Sequence, residues 1–259
     1  MDSPTVRLPL DAACHVLPHI VASGPANMAL DEALLEWVAG GGAAACLRTY
    51  GWTTPTLSLG YFQRLAEIQT DPRFQSVPLV RRLTGGGAIW HHHEVTYSLV
   101  VAGNHPLARP STGLYRAVHA AIAEALGAVG VTADRRGSGG SGYGDRKRPV
   151  LCFTDTDQED IVVGNAKIVG SAQRRREGAV LQHGSLLLAR SFLTPELQGV
   201  CDMADEAARG QDWPEQLRAR IPPALGLRRV DVPVPVQARA LASDLEFTRY
   251  QNPAWTGLR

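Results

Sequence analysis

The chain has 259 residues, a formal net charge of +1, 44% hydrophobic residues and 20% charged residues. This length suits one large α/β domain or two small ones and buries roughly 70–75% of the unfolded surface, so the core needs no disulfide or metal. Near-neutral charge argues against bulk nucleic-acid binding; no run approaches the ~18 apolar residues of a membrane span; and the scattered Cys14, Cys46, Cys152 and Cys201, without a C-x-x-C pair, argue against a disulfide framework or zinc ribbon and fit a reducing, cytoplasmic setting.

In chain order, residues 1–10 carry two prolines and an aspartate and do not read as a signal peptide. NMALDEALLEWV (27–38) spaces Met28, Leu30, Leu34, Leu35 and Val38 among acidic residues, which predicts an amphipathic helix entered through Ser23-Gly24-Pro25 and ended by Gly40-Gly41-Gly42. ACLRTY (45–50) and TLSLG (56–60) read as strands joined by a turn at 52–55. VPLVRR (77–82), AIW (88–90) and EVTYSLVVA (94–102) are further strands around Thr84-Gly85-Gly86-Gly87. Residues 111–129 predict a helix capped by Ser111 or Thr112. The glycine- and charge-rich 134–149 reads as a mobile loop, an active-site flap or an insert. DIVVGNAKIVGSA (160–172) predicts a hairpin turning at Gly164-Asn165, and 179–189 another strand. Helical pieces follow at about 194–208, 213–220 and 236–250. Strands outnumber helices before residue 190 and helices dominate after it, which predicts an α+β or mixed-sheet α/β fold, taken as one domain over 1–259 with a helical C-terminal part 191–259, rather than a doubly wound nucleotide fold.

The clusters Arg135-Arg136, Arg146-Lys147-Arg148 and Arg174-Arg175-Arg176 read as a solvated face or as a docking patch for an acidic partner. His91-His92-His93 resembles a metal motif, but neighbours on a strand point to opposite faces, so no metal site is expected.

Four segments resemble, in order, the lipoate–protein ligase, octanoyltransferase and biotin-ligase superfamily: NMALDEALL (27–35), RTYGWTTPTLSLGYFQ (48–63), RRLTGGGAIWHHHEVTYS (81–98) and GNAKIVGSAQRRREGAVLQHGSLLL (164–188). They cover about 25–190. The resemblance implies a catalytic domain with helices packed on a mixed sheet, and an acyl tunnel bordered by the arginine–glycine segment and the Lys167 hairpin. Cys152-Phe153 stands where the similar octanoyltransferases carry a nucleophilic cysteine, which the ligases lack. Two positions depart from the transferase pattern: Gly87 stands where arginine is frequent, and His91-His92-His93 replaces a histidine–aspartate start.

The expected activity is transfer of octanoyl from the phosphopantetheine of acyl carrier protein, through a Cys152 thioester, to a lipoyl-domain lysine. Thioester exchange is nearly isoenergetic, so no cofactor is required. A cysteine attacks as thiolate, which a neighbouring cation favours; Lys167 is the candidate cation. Substrate-binding candidates are Arg82, with Arg81 as the other possible phosphate holder, Thr84, Gly85, Gly86, Gly87, His91, Gly170, Ser171, Gln173, His183, Gly184 and Ser185. Each has a plain alternative: Cys152 as a packing residue, Lys167 as a surface lysine, the glycines as a tight turn, His183 as a satisfied strand histidine. The competing functions are an ATP- and Mg-dependent lipoate ligase, to which Gly87 points, a lipoyl amidotransferase, and a non-catalytic homologue.

Overall fold

The computed structural model describes residues 12–109, 112–137, 149–155, 157–204 and 206–259. Two short strands, Ala13–Val16 (β1) and Ile20–Ala22 (β2), precede the helix Gly24–Ala39 (α1). Ser23 caps α1 by accepting from the Ala26 N–H at 3.2 Å, so the helix begins at Gly24, three residues before the expected segment 27–38. Strands Ala45–Trp52 (β3) and Thr56–Leu59 (β4) follow, then the one-turn helix Leu65–Gln69 (α2). Next come Leu79–Arg81 (β5), Ile89–His91 (β6) and Glu94–Ala102 (β7). The helix Gly113–Gly127 (α3) precedes Asp134–Arg135 (β8), Ile161–Val163 (β9), Ala166–Arg176 (β10) and Ala179–Leu187 (β11). The C-terminal part holds Val200–Met203 (α4), Glu206–Arg209 (α5), Trp213–Ala224 (α6), Arg228–Asp231 (β12), Val236–Leu245 (α7), a π turn at Glu246–Tyr250 and Pro253–Thr256 (α8).

The main sheet runs β12-β1-β3-β7-β11-β10-β9-β8, with β2 also beside β3. The β1 pairings and β2–β3 are parallel, and the pairings from β3 through β7, β11, β10 and β9 to β8 are antiparallel. The sheet is thus mixed, as expected. A second, three-stranded sheet runs β5-β4-β6.

Alternation sorts the side chains of the main sheet. Val95, Tyr97, Leu99 and Val101 of β7 pack with Leu114, Val118 and Ile122 of α3 and Leu217 and Ile221 of α6. Cys46, Val100, Ala179 and Leu181 face the other way, against Leu34, Leu35 and Val38 of α1 and Ala238 of α7. The same parity places Ser98 and Thr96 of β7 beside His183 and Ser185 of β11. Burying each large aliphatic residue stabilises the fold by about 1.5–3 kcal/mol.

Three expectations need correction. The part after residue 190 is not only helical: β12 adds a parallel edge strand beside β1. Its RRVD sequence carries three charges, which suits an exposed edge but hides the strand from apolar alternation. Thr112 stands at the N-cap of α3 but its side chain accepts no capping bond; Ser111 lies outside the described residues. Residues 134–135 of the expected mobile loop pair with β9, and the rest of the proposed flap, 138–148, with the basic 146–148 cluster, lies outside the described residues, as do the leading residues 1–11. Among the described residues no helix is long and apolar enough to cross a membrane.

Candidate active site

Cys152 opens a 3-10 turn, Cys152–Thr154. Its N–H donates to the Ala88 carbonyl at 2.8 Å, and the Ala88 N–H donates to Val150 at 2.8 Å. Leu151 is buried in the core of the small sheet with Leu57, Leu59 and Trp90. The cysteine loop is therefore zipped to the exit of the glycine segment. A Cβ on Gly87 would stand 2.7 Å from the Cys152 nitrogen and 3.0 Å from its Cα. In this chain the cysteine loop packs directly on Gly87, so a side chain there would need the loop to shift; the third glycine remains a departure from the transferase pattern.

Arg82 holds that segment from below. Its guanidinium makes five hydrogen bonds: to the Ser58, Gly85 and Gly87 carbonyls and to the Ser58 and Thr84 hydroxyls. Arg81 donates to the carbonyls of Gly60, Tyr61, Gln63, Trp255 and Thr256. Both arginines are buried with protein oxygens as partners; Arg82 also lines the narrow pocket, whereas Arg81 lines neither cavity. The 174–176 cluster is likewise engaged: Arg174 stacks on Tyr61, Arg175 donates to Ala108 and Gln173, and Arg176 pairs with Glu32 and Glu36. Neither a plain solvated face nor an open docking patch describes it.

Lys167 lies just past the Gly164-Asn165 turn, where Gly164 takes a left-handed φ of 57°. The β9–β10 register shifts between Lys167 and Val169, a bulge of the kind that re-aims a side chain. The Lys167 Nζ reaches the Cys152 carbonyl at 2.9 Å, Asp160 Oδ2 at 3.0 Å and Cys152 Sγ at 3.9 Å. Burial opposes the charge on Lys167, but Cys152 and then Asp160 outweigh it and hold the ammonium above the usual lysine range. Burial keeps the Asp160 carboxyl above the usual carboxylate range despite Lys167.

Gly170 makes room for this arrangement: a Cβ there would stand 2.8 Å from Lys167 Cε and 3.3 Å from Nζ. In Gly170→Ala the flexible lysine end moves away from the sulfur. Acyl-transfer rate should fall by about 10²-fold, the scale of a small misplacement at a reacting centre. The fold should survive, which a thermal unfolding curve run beside the rate assay checks.

Two cavities meet at Cys152. A cleft of about 480 Å³ on the α3 side is lined by Gly85, Gly86, Gly87, Tyr115, His119, Asp155, Asp157, Gln158, Glu159, Asp160, Lys167 and Gln173. A narrower pocket between the two sheets is lined by Met28, Tyr50, Ser58, Arg82, Ile89, His91, Thr96, Gly170, His183, Gly184 and Ser185. Gly86, Cys152, Ser171 and Ala172 border both. The site thus gathers Cys152, Lys167, Arg82, the three glycines, His91, Gly170, Ser171, Gln173, His183, Gly184 and Ser185. Thr84 stands behind the wall, its Oγ1 2.6 Å from His183 Nε2.

Most polar side chains of the narrow pocket's wall pair with one another, the Ser185 hydroxyl excepted. His183 Nδ1 lies 3.0 Å from Asp31, whose carboxylate also pairs with Arg48 at 2.8 Å. Burial opposes ionisation of Asp31, yet Arg48 and His183 hold its carboxyl below the usual range. His91 bridges Ser58 at 2.8 Å and Glu94 at 2.7 Å and stacks on Trp52 with centroids 3.8 Å apart. His92 and His93 stack on each other instead of turning toward His91's partners.

Asp31, Glu94, Tyr97, His119 and Asp160 were not among the residues picked out by motif. Two carried a legible signal. Asp31 shares the helix face of Met28 and Leu35, and His119 that of Tyr115, Ile122 and Leu126; each is a polar residue on an apolar stripe and is buried.

A mixed sheet with helices on both faces, carrying a lysine hairpin beside a narrow pocket and a wider cleft, is the catalytic fold of the lipoate ligases and their acyltransferase relatives. The T. acidophilum lipoate protein ligase with bound lipoic acid superposes with a TM-score of 0.72 at 22% identity, over 96% of this chain and 100% of that one. Residues 23–221 match the lipoyl protein ligase A/B catalytic domain, and the chain belongs to that family. Octanoyltransferase LipM of Moorella thermoacetica is 41% identical over 71% of this chain and 67% of its own length. The protein of the same name from Lysinibacillus sphaericus is 35% identical over 82% and 77%. Against further relatives so named, the chain spans 60% of their length.

Proposed function

We propose that this chain is an octanoyltransferase that takes octanoyl from an acyl carrier protein thioester onto Cys152 and passes it to a lysine of a lipoyl domain. The observation that carries the reading is the Lys167 ammonium 3.9 Å from the Cys152 sulfur, at the one border the two cavities share. The ammonium offsets the negative charge of the attacking thiolate. The sulfur attacks the donor carbonyl, a carbon–sulfur bond forms, and the carrier leaves as its thiol after taking a proton. The acyl chain lies in the narrow pocket, whose wall turns its polar groups inward and leaves ring edges and alkyl groups for a hydrocarbon. That pocket measures about 40 Å³, a few times the roughly 10–15 Å³ that holds one water molecule on the same measure. The wide cleft receives carrier and acceptor in turn.

Relatives 35–41% identical and named octanoyltransferases support the activity. Mixing the protein with octanoyl carrier protein, without ATP, should add one octanoyl mass at Cys152. A lipoyl domain added next should gain that mass as the enzyme loses it. Modification that depends on ATP and free lipoate, with no mass on Cys152, marks a ligase instead; loading from a lipoylated protein marks an amidotransferase; and acyl binding without either product marks a non-catalytic homologue.

A further inference from the structure

Opposite the narrow pocket, on the α3 side of the sheet, a hydrogen-bonded chain ends at Ser171. The His119 Nδ1 meets the Glu159 carbonyl, and its Nε2 lies 2.7 Å from Ser171 Oγ. A carbonyl only accepts, so Nδ1 carries the hydrogen. Burial pushes the His119 imidazole down to about 4, which leaves Nε2 bare at neutral pH and able only to accept. The Ser171 hydrogen is therefore directed to His119. The Tyr97 hydroxyl, 2.6 Å from Ser171 Oγ, donates to it, and itself accepts from Gln182 Nε2 at 2.9 Å. Gln182 Oε1 in turn accepts from Gln173 at 2.9 Å, so the direction of every bond is set.

A hydroxyl oxygen has two acceptor positions. Tyr97 occupies one. Ser171 is half-buried and borders both cavities beside Cys152, whereas Tyr97 and His119 are buried. Room for the hydroxyl is made by Gly184, where a Cβ would stand 2.4 Å from Ser171 Oγ. What Ser171 offers at the border is thus an acceptor and never a donor.

Resting on the transferase reading, we propose that Ser171 binds and orients the acceptor lysine amine in the second half-reaction, with His119 and Tyr97 as the positioning residues that fix its hydroxyl. The acceptor lysine, having lost its third proton to solvent, donates one N–H to Ser171 Oγ. Its lone pair then faces the thioester carbonyl on Cys152. The carbon–nitrogen bond forms, the carbon–sulfur bond breaks with its electron pair on sulfur, and the proton shed by nitrogen ends on that sulfur. The products are the amide and the free thiol.

The test separates the half-reactions. The full-length chain and its variants are first loaded from octanoyl carrier protein, with Cys152 acylation followed by mass, and then mixed with a lipoyl domain in a single turnover. Ser171→Ala should load within about twofold of wild type but transfer about 10- to 100-fold more slowly, the effect of one lost oriented hydrogen bond. Ser171→Thr should restore transfer, and His119→Phe, which frees the hydroxyl to rotate, should share the transfer defect with normal loading. Unimpaired transfer by a loaded Ser171→Ala, or equal slowing of both steps, overturns the inference alone. A wild-type chain that takes no acyl group overturns the transferase reading, and the inference with it. If Ser171→Ala fails to fold, the nearly isosteric Tyr97→Phe decides: a transfer defect of severalfold with normal loading is expected, and wild-type transfer counts against it.

Discussion

Cys152→Ala should abolish both the acyl-enzyme and the transfer of octanoyl, lowering single-turnover transfer by on the order of 10³-fold or more, as removal of a nucleophile does elsewhere. The effect is large because the route has no substitute for sulfur. Direct attack of the lysine amine on the carrier thioester needs two proteins at one carbonyl together, whereas the cysteine lets each use the cleft in turn. Stability should change little: Cys152 is only part-buried, and the turn is held by the Cys152 N–H on Ala88, which alanine keeps. Mass spectrometry of the carrier reaction and a thermal melt check both halves. Transfer by Cys152→Ala at the wild-type rate, in a folded protein, removes the covalent route.

Lys167→Met carries the second large effect, on activity and stability together. Transfer should fall by about 10²- to 10³-fold, comparable with loss of one preorganised charge at a reacting centre. The unfolding free energy at neutral pH should fall by about 3 kcal/mol, because Asp160 is left buried without its cation. The pH dependence follows from the two groups. Lys167 is held above the usual lysine range, so its stabilising contribution is whole below the unfolded value and is lost as pH rises through the folded one. Asp160 is also held above its usual range, by burial; a carboxyl so raised binds its proton more tightly when folded, and stability rises as pH falls through that value. Without the lysine this upward shift grows. Urea unfolding of wild type and variant between pH 8 and 5 should show the gap narrowing toward acid. A constant or widening gap contradicts the pairing.

Much of this was legible from residue patterns alone. EVTYSLVVA (94–102) is the strand β7 residue for residue, since an alternating β-branched run bounded by polar residues has one good way to bury itself. The Gly164-Asn165 turn predicted the hairpin that carries Lys167. The small strands β1 and β2 and the edge β12 were not legible: three or four residues give too short a period, and their pairing comes from partners as much as 215 positions away, as in Ala13 with Arg228. The arginines show the limit most clearly. Arg81, Arg82 and Arg174–Arg176 are, in one dimension, clusters of positive charge; their partners, Thr256, Gly85, Gly87, Tyr61 and Glu32, are assigned only by folding.

By itself the sequence determined much of the element pattern, the family resemblance and the choice of Cys152 and Lys167 as the candidate reactive pair, because helix and strand periods and short motifs are local properties of the chain. The tertiary structure decided what those residues face. It set the sulfur beside the ammonium, packed Gly87 on the Cys152 backbone, buried Asp160 and His119, and brought two cavities to one border. These depend on distances between residues far apart in the chain, which only closure of the sheet and packing of its helices define.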